Sequence, residues 1–154
     1  MPAPVPNNDC KLYYNSNTNA SPTWVLLDRV VNVSCDSSAT TAPTTNRSSK
    51  FETEEVVTVK LGPLTFDYQI LSAVDADFNA LRAAWLAKAK YQFAMMDGAI
   101  DTAGSEGWKA YFQITKCTVT EDDGGVRRAS FEAVPTAFYE SSALVEPAWL
   151  VVSA

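Results

Sequence analysis

Thr23–Cys35 (TWVLLDRVVNVSC), Asp36–Lys50 (DSSATTAPTTNRSSK) and Phe51–Leu61 (FETEEVVTVKL) follow one another without a break, and their reading decides the fold. The first is apolar and β-branched, as a strand requires. The second has 15 residues, eight of them Ser or Thr, and no large apolar side chain, so it has nothing to give a core. It reads as a loop, followed by a second strand. Structureless loops beyond about 12–15 residues are uncommon inside compact domains and are usually functional or disordered. A chain that keeps one between two good strands is expected to use it on a partner.

The rest of the composition narrows the function classes. The 154 residues fit one domain with a sizeable core, and an apolar fraction of 47% against 19% charged is that of a globular chain. The net charge of −6 and pI of about 4.6 oppose binding to nucleic acid through its phosphates. There is no histidine, which removes Ser-His-Asp and Cys-His catalysis and every His-ligated metal site. Neither a Walker A loop nor a G-x-G-x-x-G turn is present. Only carboxylates and lysines are left for acid–base work, so the reading is of a non-enzyme without cofactor or metal. Glu121-Asp122-Asp123 has oxygen ligands, but its spacing is not that of a calcium loop, and a solvated turn explains it. Cys10, Cys35 and Cys117 form no C-x-x-C pair and read as reduced small residues, with a Cys10–Cys35 disulfide as the alternative. The opening MPAPVPNND has neither the basic nor the apolar region of a secretory signal, and no apolar run reaches the roughly 18 residues of a membrane span.

The domain organisation expected is an arm over 1–9, extended by Pro2, Pro4 and Pro6, a β-sandwich domain over 10–136 and a tail over 137–154. A first strand is expected near Cys10–Tyr14. Leu64, Phe66, Tyr68 and Ile70 alternate with Thr65, Asp67 and Gln69, the period of a sheet with one wet face. Gly62-Pro63 before them suggests a tight turn, hence a hairpin over 51–71. One helix is expected over Asp75–Lys88, capped by Ser72 or Asp75, with Phe78, Leu81, Trp85, Leu86 and Ala89 as its apolar stripe. Strands at 91–96, 108–120 and 126–134 complete the set, and Trp24 and Trp108 are expected to anchor the core. The fold class is therefore mainly β: an antiparallel β-sandwich or barrel of about seven strands with one flanking α-helix.

The run WVLLDRVVNVS, the Thr-rich segment ending in Thr44-Thr45-Asn46-Arg47, and the aromatic-led strand after it resemble the tail tube (major tail) proteins of long-tailed bacteriophages. So does the order of hairpin, DADFNALR helix over 75–82, short strand and final hairpin near Pro135, a likeness spanning about residues 22–136. One departure is Ala42-Pro43, where an acidic residue is expected in that family. The resemblance implies a structural virion protein whose hexameric rings stack into a hollow tube that conducts the genome. It implies partners as well: other copies of the chain, the tape measure, tail terminator and distal tail proteins, and DNA passing without specific binding. Its place is the virion tail, after assembly in the host cytoplasm. On this reading the segment with Asp36, Thr40, Thr41, Thr44, Thr45, Asn46, Arg47 and Lys50 meets a neighbouring ring or subunit.

DNA must slide past a tube wall without sticking, so a lining free of cations and stacking aromatics suits it. Glu52, Glu54, Thr65, Asp67 and Gln69 are the candidates, on strand faces that otherwise read as solvated. Trp149, Leu150 and Val151 form an apolar patch at the chain end, expected either on its own domain or on a neighbour. Competing classes are a secretion-system tube or capsid decoration protein, and a carbohydrate-binding sandwich suggested by four Trp and six Tyr.

Overall fold

The computed structural model describes residues 10–44, 53–71, 75–121 and 125–154. Ten strands and one helix succeed one another: β1 Lys11–Asn15, β2 Trp24–Leu26, β3 Val30–Pro43, β4 Glu54–Gln69, α1 Ala76–Leu86, β5 Lys90–Met96, β6 Glu106–Thr120, β7 Arg128–Pro135, β8 Phe138–Glu140, β9 Ala143–Val145 and β10 Ala148–Val151. Eight form one antiparallel sheet in the order β2-β1-β5-β6-β7-β4-β3, with β10 added to β6, and β8 and β9 make a separate hairpin. β6 serves both halves. Its N-terminal part pairs with β5 and β10, and from Phe112 onward it pairs with β7, through a register shift between Ile114 and Lys116.

The sheet folds over on itself. β4 and β5 are three strand spacings apart in the hydrogen-bonding order, about 14 Å in a flat sheet. Yet the rings of Phe66 on β4 and Phe93 on β5 lie 6.1 Å apart, centroid to centroid. Two layers therefore face each other across an aromatic core of Phe66, Tyr68, Phe78, Phe93, Phe112 and Phe131. Burying each such ring contributes roughly 1.5–3 kcal/mol. The outermost strands, β2 and β3, are joined by Leu27-Asp28-Arg29 alone. Leu27 N–H donates to Leu12 and Gln69 N–H donates to the Arg29 carbonyl, so this connector bridges the two edges without a ladder that would close a barrel. The stretch expected as one strand over Thr23–Cys35 is thus two, belonging to opposite edges.

The helix is shorter and differently turned than its sequence suggested. Asp75 is its N-cap, accepting from Phe78 N–H, and the last helical residue is Leu86. Phe78, Leu81 and Ala84 face the core, while Trp85 is 36% and Leu86 67% exposed. The small Ala80 and Ala84 let the helix approach the core closely, which leaves the bulky Trp85 on its margin. Trp24 and Trp108 are likewise only half-buried, beside a second cluster of Tyr13, Ala94, Met96 and Leu150 on the reverse side of β1 and β5. Gly107 is where β6 comes closest to β5: a Cβ there would collide with the Met95 carbonyl.

The region expected as a hairpin over 51–71 is one strand. At Gly62-Pro63 β4 does not turn; it carries an extra residue relative to β3 between the pairs Cys35–Leu64 and Ser37–Leu61, a β-bulge. Glycine is required there because a Cβ would stand 2.7 Å from the Asp36 carbonyl oxygen.

Candidate assembly surfaces

The Ser/Thr-rich stretch expected as a loop is β-strand through Pro43. Thr is a β-branched residue and needs no apolar partner to keep extended geometry, so the ladder continues where the hydrophobic pattern stops. Asp36, Thr40 and Thr41 lie within β3, and Thr44 follows its end, with its hydroxyl 2.8 Å from that of Thr53. Thr45, Asn46, Arg47 and Lys50, with Glu52, lie outside the described residues.

β3 and β4 pair from Val30–Tyr68 to Pro43–Glu54, whereas β7 covers β4 only from Leu64 to Gln69. Beyond Leu61 the two strands leave the domain as an arm. From Pro43–Glu54 to Ser37–Leu61 this is about 20 Å of hairpin at 3.3–3.4 Å per residue. Nearly every residue of it is exposed.

Its two faces differ in chemistry. A second extra residue on β4, Val57, lies between the pairs Thr40–Thr58 and Thr41–Val56. Following the register through both shifts, Leu61, Val59 and Val56 share the face that continues the core, opposite Ser37, Ala39 and Thr41. Lys60, Thr58 and Glu55 share the other. Val56, Val57 and Val59 are 57%, 65% and 70% exposed. An isolated two-stranded hairpin is marginal in water, and these valines are left largely bare by the described residues of their own chain.

The candidate lumen residues divide. Thr65, Asp67 and Gln69 do share the face of β4 turned away from the core, beside Glu132, Ser130 and Arg128 of β7. Asp67 accepts from Ser130 Oγ at 2.6 Å and Asn32 Nδ2 at 3.0 Å. Those bonds, with Arg128 nearby, hold its carboxyl below the usual carboxylate range against the opposing effect of burial. Lys116 also borders this face, so it carries both signs of charge and is not uniformly acidic. Glu54 stands on the other face, because the Val57 bulge reverses the phase, and it accepts from Thr41 Oγ1 at 2.8 Å.

The chain end is laid on its own domain. β10 pairs with Glu106–Lys109 of β6, and Leu150 enters the second cluster. Trp149 meets Trp108 edge-to-face at 5.4 Å and donates its indole N–H to Glu106, yet remains 52% exposed, and Val151 57%. Two further devices escaped the sequence reading. Buried Gln92 accepts from Asn15 Nδ2 at 2.9 Å and donates to Asn19 Oδ1, and Glu140 accepts from the backbone of Asn19 and Ala20, which fixes the loop between β1 and β2. At the end of the β3–β4 ladder away from the arm, Asp75 binds Arg29 at 3.0 Å and the Tyr68 hydroxyl at 2.8 Å. Burial works against the charged form of Asp75. The Phe78 N–H, Tyr68 and Arg29 outweigh it and bring its pKa below the ordinary value. The same burial and the same bond push the Tyr68 phenol strongly upward.

Among the described residues no cluster of three or more His, Cys, Asp or Glu could hold a metal ion, and no helix is long and apolar enough to cross a membrane.

This fold, a curved antiparallel sheet with one helix, is shared with subunits of solved tail and baseplate assemblies. The chain superposes over 98% of its length on the SPP1 tail tube subunit, covering 81% of that chain with a TM-score of 0.72 at 11% identity. A subunit in the C6-symmetric tail of an empty gene transfer agent particle aligns with 96% of this chain and 98% of its own, TM-score 0.64, 12% identity. One in the sixfold-symmetrised baseplate of the anti-feeding prophage aligns over 100% of both chains, TM-score 0.62, 11% identity. At such identities the likeness establishes the fold. The sequence matches no family model and no curated protein.

Proposed function

We propose that the protein is a structural tail tube subunit that assembles with copies of itself into rings, six-membered by analogy with the symmetric particles it resembles in fold, stacked into a hollow tube in a virion tail. The observation that carries this reading is the arm: a core extended by about 20 Å of hairpin whose one apolar face covers nothing among the described residues of the same chain. The role is mechanical, without catalysis or cofactor. The Thr65/Asp67/Gln69 face is the candidate lumen wall, along which the genome passes without specific binding. Tape measure, terminator and distal tail proteins are the further partners, met during assembly in the host cytoplasm. Negative-stain electron microscopy of the purified protein across a concentration series tests it. Rings or tubes of uniform diameter are expected, and dispersed monomers at every concentration overturn the proposal.

A second reading, a tube subunit of a secretion-type particle, is favoured by the full-length alignment with the anti-feeding prophage baseplate. It shares the assembly and differs in cargo. Asp67→Lys tests the lumen face of the genome-conducting reading: the tube is expected to keep its shape and deliver DNA more slowly, whereas unchanged delivery removes the lumen assignment.

A further inference from the structure

At the root of the arm, on the opposite side from its tip, the domain carries a groove of about 850 Å³. Leu26, Val31 and Val33 from the β2–β3 region form one wall, and Met95, Trp108 and Trp149 the other. Several of these are left partly bare: Leu26 is 36%, Val33 42% and Trp149 52% exposed. The rim holds Asp28, Asp97 and Glu106 against Lys11 alone, a surplus of two negative charges. A groove with an aromatic and aliphatic floor and a few charges at its edge suits an apolar segment bearing cations.

The same chain carries such a segment. The arm presents Val56, Val57 and Val59, and the sequence joining its strands holds Arg47 and Lys50 against a single acid, Glu52. The arm cannot enter the groove of its own domain. β3 runs unbroken from the groove wall at Val31 and Val33 out to Pro43, and a continuous strand paired along its length does not double back.

We infer that the groove between β2–β3 and β6–β10 receives the valine face of the arm from a second copy of this chain. This rests on the tube-subunit reading and adds the receiving surface. The contact is head-to-tail: each copy gives an arm and accepts one, so association continues until rotation closes a ring or translation builds a column.

Val59→Asp damages only the arm and Val33→Asp only the groove, both at exposed positions where the fold tolerates the change. Each variant alone is expected to stay a folded monomer by circular dichroism and sedimentation at concentrations where the unmodified protein assembles. Mixed in equal amounts, one variant's intact arm meets the other's intact groove, and a dimer is expected that stops there. A mixture that stays monomeric while the unmodified protein assembles overturns the inference and leaves the tube reading standing. So does normal assembly by Val33→Asp. If Val59→Asp assembles and Val33→Asp does not, the groove belongs to another segment, such as residues 1–9, and the inference is overturned. Failure of the unmodified protein to assemble at all overturns the tube reading itself.

Discussion

β3 and β4 are each one strand, yet their inner and outer halves live under different physics. The inner half, up to Leu64 on β4, is covered by β7 along one edge and by the aromatic core on one face, with Leu64 and Tyr68 fully buried. The outer half has the same ladder and the same antiparallel register but no neighbour on either face or outer edge among the described residues. Backbone hydrogen bonds are common to both, so what separates them is side-chain burial. On the proposed reading, stability resides in the inner half and association in the outer, and the two should respond oppositely to mutation.

Phe66→Ala probes the inner half most severely. This ring is 2% exposed and stacks on Phe131 at 5.3 Å, so removing it is expected to cost about 3–5 kcal/mol in urea unfolding. A loss below about 1 kcal/mol would break the comparison.

Asp75→Asn tests the anchor that ties the inner end of the β3–β4 ladder to the helix, with an expected loss of roughly 2–3 kcal/mol at neutral pH. The pH dependence has a definite sign. The folded-state pKa of Asp75 is depressed below the unfolded value of about 3.9, so its contribution is complete above that value. It is lost as pH falls through the folded pKa. The gap between wild type and variant should stay constant from neutrality to about pH 5 and shrink below about pH 4. A gap that grows on acidification would be inconsistent with this wiring.

Trp85→Ala should cost only about 1 kcal/mol, since the side chain sits at the helix margin and not under it. A value near that of Phe66→Ala would return Trp85 to the core.

The smallest effect on stability belongs to the largest excision. Replacing residues 38–60 with Asn-Gly, a two-residue hairpin turn between Ser37 and Leu61, removes the arm and should change unfolding free energy by less than about 1 kcal/mol. Assembly should vanish. Tubes of normal appearance from this variant would refute the arm's role in association.

How much of this was legible in the sequence follows the same division. Where side chains are sorted by burial, the pattern could be read: Leu64, Phe66 and Tyr68, then Ala129, Phe131 and Ala133, alternate as expected and face inward. Asp75 announces its helix because capping is local chemistry, and the structure confirms it. The arm was misread as a loop because no burial sorts its residues, and hydrophobic periodicity carries no signal where both faces are wet. Gly62-Pro63 has the composition of a turn, and only the β3 partner decides that it is a bulge. The Asn15–Gln92 bond joins residues 77 positions apart, a pairing no local pattern reveals. Trp85 shares the helical spacing of the buried residues, and spacing alone does not show that the helix turns the small Ala84 to the core in its place.

The two bulges on β4 have a consequence for how such an arm can change. The side-chain alternation of a strand is a phase, and Gly62-Pro63 and Val57 each advance it by one step relative to β3. Substitution tunes the chemistry of a face without moving it. Were Val57 instead taken into the ladder opposite Thr41, inside and outside would be exchanged toward the tip, with Val56 sent to the polar side and Glu55 to the apolar one; loss of Val57 would leave Val56 opposite Thr41. The orientation of this surface is thus a matter of counting, and a slip in how the two strands pair, more than a replacement on either face, is the event that would rewrite what it meets.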